Sequence, residues 1–192
     1  MVLFLSIAAA FAADKDAAPF RPAPASAYEH RQTNSAVTIG VDPYNLEEKQ
    51  KTAFGKVDLY RFGVLPVLVV IQNDSDKAIR LDNIEVQYVG PNGNHVEATP
   101  AKEIRYLNGP RRPDIVPGPT GQPKVGRSKK NPLDAWEVEG RAFAARMLPP
   151  GQTASGFFYF QTGLQRGATI YLNGLSEAGS NKELFYFEIP LE

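Results

Sequence analysis

Apolar and polar positions are arranged most tellingly between Val64 and Leu81. Five consecutive apolar residues, Val67 to Ile71, follow Pro66; a polar turn from Asn73 to Lys77 stops them, and apolar positions resume at Ile79 and Leu81. The run is β-branched and shorter than the roughly ten residues a helix needs, which predicts a buried strand, a turn and a return strand. Upstream, Val37, Ile39 and Val41 alternate with Thr38 and Gly40 as in a half-buried strand. Asn45 as a cap, Leu46, Ala53 and Phe54 on one face and Gly55 as a stop predict a short helix, with Glu47 and Lys51 paired on its wet side.

Beyond Leu81 the alternation changes phase. Ile84, Val86 and Tyr88 occupy the opposite set of positions, so a bend or bulge at Asp82-Asn83 is expected, with the chain passing to another sheet there. Gly90 to Asn94 reads as a hairpin turn leading into Val96 and Ala98, and Ile104 to Leu107 as another short strand. From Asn108 to Pro132, six prolines and four glycines interrupt every run and predict a long loop. Asp134 to Met147 is ambiguous: Trp136 and Val138 alternate with Glu137 and Glu139 as on an edge strand, whereas Ala142 to Met147 suits a helical turn. Phe157 to Phe160, Ala168 to Asn173 and Glu183 to Leu191 complete about eight short strands; the last places Phe185, Phe187, Ile189 and Leu191 on one face. The fold class expected is all-β with one or two short helices, an antiparallel sandwich or barrel.

The segment Pro149-Pro150-Gly151-Gln152-Thr153-Ala154-Ser155-Gly156-Phe157-Phe158-Tyr159-Phe160 resembles bacterial exported domains with an immunoglobulin-like β-sandwich fold, in which a Pro-Gly turn leads into a strand of the form Gly-aromatic-x-x-Phe. The proline-led strand ending in Asn73-Asp74-Ser75-Asp76 is similar to the strand-and-polar-turn unit of those domains. The resemblance covers Ala36 to Glu192 in outline and implies an immunoglobulin-like, non-enzymatic module. It transfers no catalytic residue.

With 192 residues, one domain is expected, from 34 to 192. Residues 1–12 read as a signal peptide lacking its basic start, with cleavage after Ala12, and 13–33 as a flexible leader rich in Ala and Pro. Export to the periplasm or beyond follows from that reading, and no further segment is long enough to anchor the chain in a membrane. The 21 basic and 21 acidic side chains cancel, which removes the electrostatic case for a nucleic-acid partner. Cysteine is absent, so disulfides, thiolate metal sites and cysteine nucleophiles are excluded. No cofactor or metal is expected.

Candidate chemistry is sparse. Gly121 to Ser128 is a near miss to a phosphate-binding loop, spoiled by Arg127 in the lysine position, by Pro123 and by Pro132 after it. Gly174 to Gly179 has the wrong glycine spacing for a nucleophile elbow. His30 and His95 have no reason to meet, Glu137 and Glu139 would share one side of a strand, Asp74 and Asp76 read as turn formers, and Asn73-Asp74-Ser75 matches a glycosylation acceptor. The sharper features are two. Seven basic residues, Arg105, Arg111, Arg112, Lys124, Arg127, Lys129 and Lys130, fall between 105 and 130 against the single acid Asp114. This predicts contact with a protein or an anionic envelope component. Trp136, Tyr159, Tyr171 and Tyr186 would form a carbohydrate platform if they project from one sheet. The leading expectation is thus an exported, non-enzymatic module that binds or scaffolds another envelope component through loops or a free sheet edge. Carbohydrate binding is the alternative; a hydrolase lacks a complete constellation. Neutralising Arg111, Arg112, Lys129 and Lys130 together should weaken partner recovery from envelope extracts at low salt and flatten its salt dependence; recovery equal to the parent at every salt concentration would contradict the loop reading.

Overall fold

The computed structural model describes residues 20–107, 115–117, 123–125, 131–180, 182–184 and 186–191. In chain order the strands and helices are β1 (His30–Asn34), β2 (Val37–Pro43), α1 (Glu47–Phe54), β3 (Leu65–Asn73), β4 (Ile79–Arg80), β5 (Glu85–Val89), β6 (His95–Glu97), α2 (Ala101–Ile104), β7 (Ile115–Pro117), β8 (Pro123–Val125), α3 (Trp136–Gly140), β9 (Met147–Leu148), β10 (Thr153–Phe160), β11 (Thr169–Asn173), β12 (Ser176–Glu177) and β13 (Phe187–Pro190). All strand pairs are antiparallel. The fold is all-β and sandwich-like, with three short α-helices where one or two were expected.

Two four-stranded sheets carry the architecture, β1-β2-β3-β10 and β13-β11-β5-β6. Leu65, Val67, Val69 and Ile71 of β3 face the second sheet and join Val86, Tyr88, Ile170, Leu172, Phe187 and Ile189 in one core. Leu68 and Val70, pointing the other way, join a second core with Ala53 and Phe54 of α1, Ile104 of α2 and Val138 of α3. Burial on both faces explains why the strand reads as an unbroken apolar run, which antiparallel strands with one wet face do not show.

β4, the expected return strand, does not pair with β3. It lies between β12 and β9 in a small third sheet. The chain then turns at Asp82-Asn83 and enters the second sheet as β5, in agreement with the phase change in the sequence. The β5–β6 hairpin turn is also as expected: Gly90 N–H bonds Asn94 O at 2.8 Å and Gly93 takes φ 72°, a conformation glycine adopts without steric cost.

Five expectations are corrected. Residues 20–33 are not a flexible leader: Phe20 packs on Tyr44 and Phe157, Ala25 is fully buried, and β1 pairs with β2 along its length. A Pro- and Ala-rich segment looks unstructured in isolation, but its few apolar groups cover the outer face of the first sheet, crossing β2 where Gly40 has no side chain. A Cβ at Gly40 would stand 2.8 Å from Ala25 O. Helix α1 starts at Glu47 with Leu46 in the capping position, extended and exposed, so Asn45 is not the cap; the Glu47–Lys51 ion pair (2.9 Å) and the Gly55 stop are as expected. Ile104 ends the helical turn α2 instead of opening a strand. In the ambiguous stretch the two readings are exchanged, Trp136–Gly140 being helical and Met147–Leu148 extended. Within the expected loop 108–132, β7 and β8 pair as a two-stranded ribbon.

The sheet edges at β1, β13 and β10 carry bonds to other parts of the chain. At one side Glu188 N–H donates to Gln32 Oε1 of β1 (2.7 Å). At the other, the edge strand β10 is capped: Thr99 N–H donates to Tyr159 O (2.7 Å), Phe157 N–H to Arg141 O (2.8 Å) and Phe143 N–H to Phe157 O (3.1 Å). This accounts for the glycine of the Gly-aromatic motif, since a Cβ on Gly156 would lie 2.4 Å from Phe143 Cα. Gly156→Ala therefore has to displace the segment 141–143, and a loss of about 1–3 kcal/mol is expected in urea unfolding; a midpoint equal to the parent's would mean that this segment is not seated on β10.

Candidate functional site

The outward side of the second sheet is built by alternation. In β11, Ile170 and Leu172 point into the core, which turns Thr169, Tyr171 and Asn173 outward. Register then sets Tyr171 between Glu188 of β13 and Gln87 of β5, and Asn173 beside Glu85. Tyr186, just ahead of β13, is exposed, and its ring stacks on Tyr171 with centroids 5.4 Å apart and planes at 29°. The two rings border a cleft of about 550 Å³ shared with Asn83, Glu85, Asn173 and Glu183. Gly174 permits the cleft floor. It holds φ 80°, and a Cβ there would meet Asn83 O at 2.0 Å.

A second cleft, of about 390 Å³, opens where β5 and the residues after β6 face the capped edge of β10. It is more apolar. Phe143 and Phe158 stack across it at 5.3 Å and 23°, and Ile84, Val86 and Ala98 continue the lining. Glu85 lines both clefts.

The four aromatic candidates divide. Half-buried Tyr171 and exposed Tyr186 come together as a stacked pair, but Tyr159 belongs to the core, only 1% exposed, with its hydroxyl donating to Val138 O at 2.7 Å. Burial pushes the Tyr159 hydroxyl far above the usual tyrosine range, and the same cause raises Tyr44. Trp136 is 72% exposed but stands at the start of α3, against Gly140, and is not part of the cleft at Tyr171 and Tyr186. Alternation within Phe157 to Phe160 did not indicate that both faces of β10 are covered, one of them by helices.

Of the basic candidates, Arg111, Arg112, Arg127, Lys129 and Lys130 lie outside the described residues, and Lys124 sits on β8 opposite Val116. Arg105 is withdrawn from the basic set by ion pairs to Asp134 (3.1 Å) and Glu139. Glu137 and Glu139 are on a helix, so the strand-based carboxylate pair does not form. His30 is on β1; His95, on β6, has Nδ1 2.9 Å from Gln87 Oε1. Ser176, the serine of the elbow-like segment, is an ordinary strand residue opposite Arg80. Among the described residues, no group of three or more His, Cys, Asp or Glu is placed to hold a metal ion, and no helix is long and apolar enough to cross a membrane.

Asn73, flagged as a glycosylation acceptor, is fully buried. Its amide nitrogen donates to Lys77 O (2.8 Å) and Leu148 O (3.0 Å), while Oδ1 accepts from Ser75 N–H (3.1 Å) and the Ser75 hydroxyl (2.6 Å). The side chain is the clasp that turns β3 toward β4 and holds the β9–β10 turn, and both amide hydrogens are committed. Glu177, on the neighbouring short strand, is held below the usual carboxylate range by hydrogen bonds from Lys77 and Ser180.

No protein-family model matches the chain, and no curated protein matches it. Among solved structures it is similar to the yjhA protein of Bacillus subtilis, with 11% identity over 86% of this chain and 98% of the other, at a TM-score of 0.43. A functionally unknown protein from Listeria monocytogenes shares 12% identity over 83% and 79% of the respective chains, at 0.35. A DUF4426 family protein from Pseudomonas aeruginosa shares 10% over 83% and 91%, at 0.32. These are β-rich bacterial proteins, and nothing about a site passes from them.

Asn73→Ala would leave the buried Leu148 O without its partner and remove the part-buried bonds to Lys77 O and from Ser75 N–H, so a loss of about 1–3 kcal/mol is expected, read as a lower thermal midpoint by calorimetry; a midpoint within a degree of the parent would show that the clasp is not used.

Proposed function

We propose that this protein is an exported, non-enzymatic module of the immunoglobulin-like kind that binds or scaffolds another component of the cell envelope, and that it presents the outer face of the sheet β13-β11-β5-β6 to that component. The observation that carries the reading is the stacked Tyr171–Tyr186 pair, held beside a cleft on a sheet face over which none of the described helices packs. The sheet β1-β2-β3-β10 offers no such face, because the helices and the N-terminal segment cover it. Exposed rings that already stack on each other lose little conformational freedom on binding, which favours their use as contact surface.

A carbohydrate-binding module is the second reading, and one observation favours it. The tyrosine pair is bordered by amide and carboxylate groups of Asn83, Asn173, Glu85 and Glu183, which can accept and donate bonds to hydroxyls. Trp136 and Tyr159 have no part in it. Arg111, Arg112, Lys124, Arg127, Lys129 and Lys130 remain the proposed contact for an anionic component, and their contribution is separable from the cleft because it falls with salt.

Co-sedimentation with isolated envelope material tests the face. The parent should pellet with the envelope, and Tyr171→Ala/Tyr186→Ala should bind about tenfold or more weakly, since each ring contributes on the order of 1 kcal/mol beyond its buried area. Equal pelleting of parent and double variant, with both folded by circular dichroism, would sink the proposal.

A further inference from the structure

Glu85 lines the Tyr171–Tyr186 cleft and the Phe143–Phe158 cleft alike, so both reach the start of β5. Each contains a stacked aromatic pair, at 5.4 Å and 5.3 Å, and three carboxylates, Glu85, Glu97 and Glu183, line the two together. Among the described residues, no basic side chain lines either one. We propose that the two clefts form one continuous track for an extended, uncharged, polyhydroxylated chain, a neutral oligosaccharide, with a stacking platform at each end and Glu85 at the junction. The inference rests on the binding reading above and names its ligand class.

Three features select this occupant. Carboxylates repel uronic acid or phosphate polymers, yet accept bonds from sugar hydroxyls. Aromatic faces suit the C–H faces of sugar rings, which are apolar although the ring edge is polar. A peptide adding as a strand is disfavoured on the same track, because the outward backbone groups of β10 are already bonded to Arg141, Phe143 and Thr99. Two platforms joined by one ligand also predict a signature, because a chain long enough to reach both gains affinity as if the second contact were intramolecular.

The experiment is titration calorimetry of the full chain with neutral β-1,4-linked glucose and N-acetylglucosamine oligomers from monomer to hexamer, with polygalacturonate as the anionic control. Affinity should rise about tenfold or more from monomer to hexamer, and polygalacturonate should bind only through the basic loop, so that its affinity falls with salt while that of the neutral oligomers does not. Phe143→Ala should cost the hexamer more affinity than the monomer, and Glu85→Ala, at an exposed position, should weaken every length and remove the gain with length. Tyr186→Ala should weaken every length. Equal affinity for monomer and hexamer, length dependence that survives Glu85→Ala, or no heat with any neutral oligomer would overturn the track. The parent proposal is judged separately: if native envelope still pellets the parent and not the tyrosine double variant, but protease treatment of the envelope abolishes binding and glycan hydrolysis does not, the ligand is a protein. In that outcome the glycan inference fails while the binding face stands.

Discussion

Burial of β3 on both faces is the constraint from which the rest of the structure follows. Its backbone polar groups are out of reach of water, so every one needs a partner, and β2 and β10 supply them on either side. Its side chains need two apolar layers. The second sheet provides one; the three short helices and residues 20–28 provide the other. Once these layers are in place, the close crossings at Gly40 and Gly156 are geometric necessities, because chain segments lie directly over the strands at both positions.

The same constraint decides where binding surface can exist. The first sheet is used up by packing, whereas the second needs only its inward side for the core. Its outward side is free to carry Tyr171, Gln87, Glu85 and Asn173, residues with no role in holding the sandwich together. On the proposed reading, binding and stability fall on opposite faces of one sheet. Edge pairing, the other inexpensive way for a β-protein to recruit a partner, is restrained at β10 by bonds from Thr99, Arg141 and Phe143. Tension is stored elsewhere: Ser35 and Ala36, in the two-residue β1–β2 turn, both take positive φ, a conformation that costs non-glycine residues on the order of 1–2 kcal/mol each.

Much of the site was half legible. Alternation in Ala168 to Asn173 implies that Tyr171 and Asn173 share a face, and the same holds for Glu85 and Gln87 once the phase change at Asp82-Asn83 is noticed. The missing step was pairing. Nothing local states that β5 lies beside β11, some eighty residues later, so Asn83, Glu85 and Glu183 could not be connected to the tyrosines. Tyr159 failed for the converse reason. Its neighbours suggested a strand with one exposed face, but the hydroxyl is satisfied by Val138 O from a helix that alternation had read as an edge strand.

The sequence by itself determined the all-β class, the buried character of Val67 to Ile71, the Gly90–Asn94 hairpin and the strands at Phe157–Phe160 and Thr169–Asn173. These depend on side-chain periodicity and turn stereochemistry, which act over a few residues. Only the tertiary structure decided that β4 deserts β3 for another sheet, that the Pro-rich residues 20–28 are part of the core, that Ile104 and Trp136 lie in helical turns, and that Glu85 lines both of the clefts that hold a stacked aromatic pair. Short segments of weak propensity take whichever conformation lets them cover an exposed apolar face, and that face exists only once the sheets have formed.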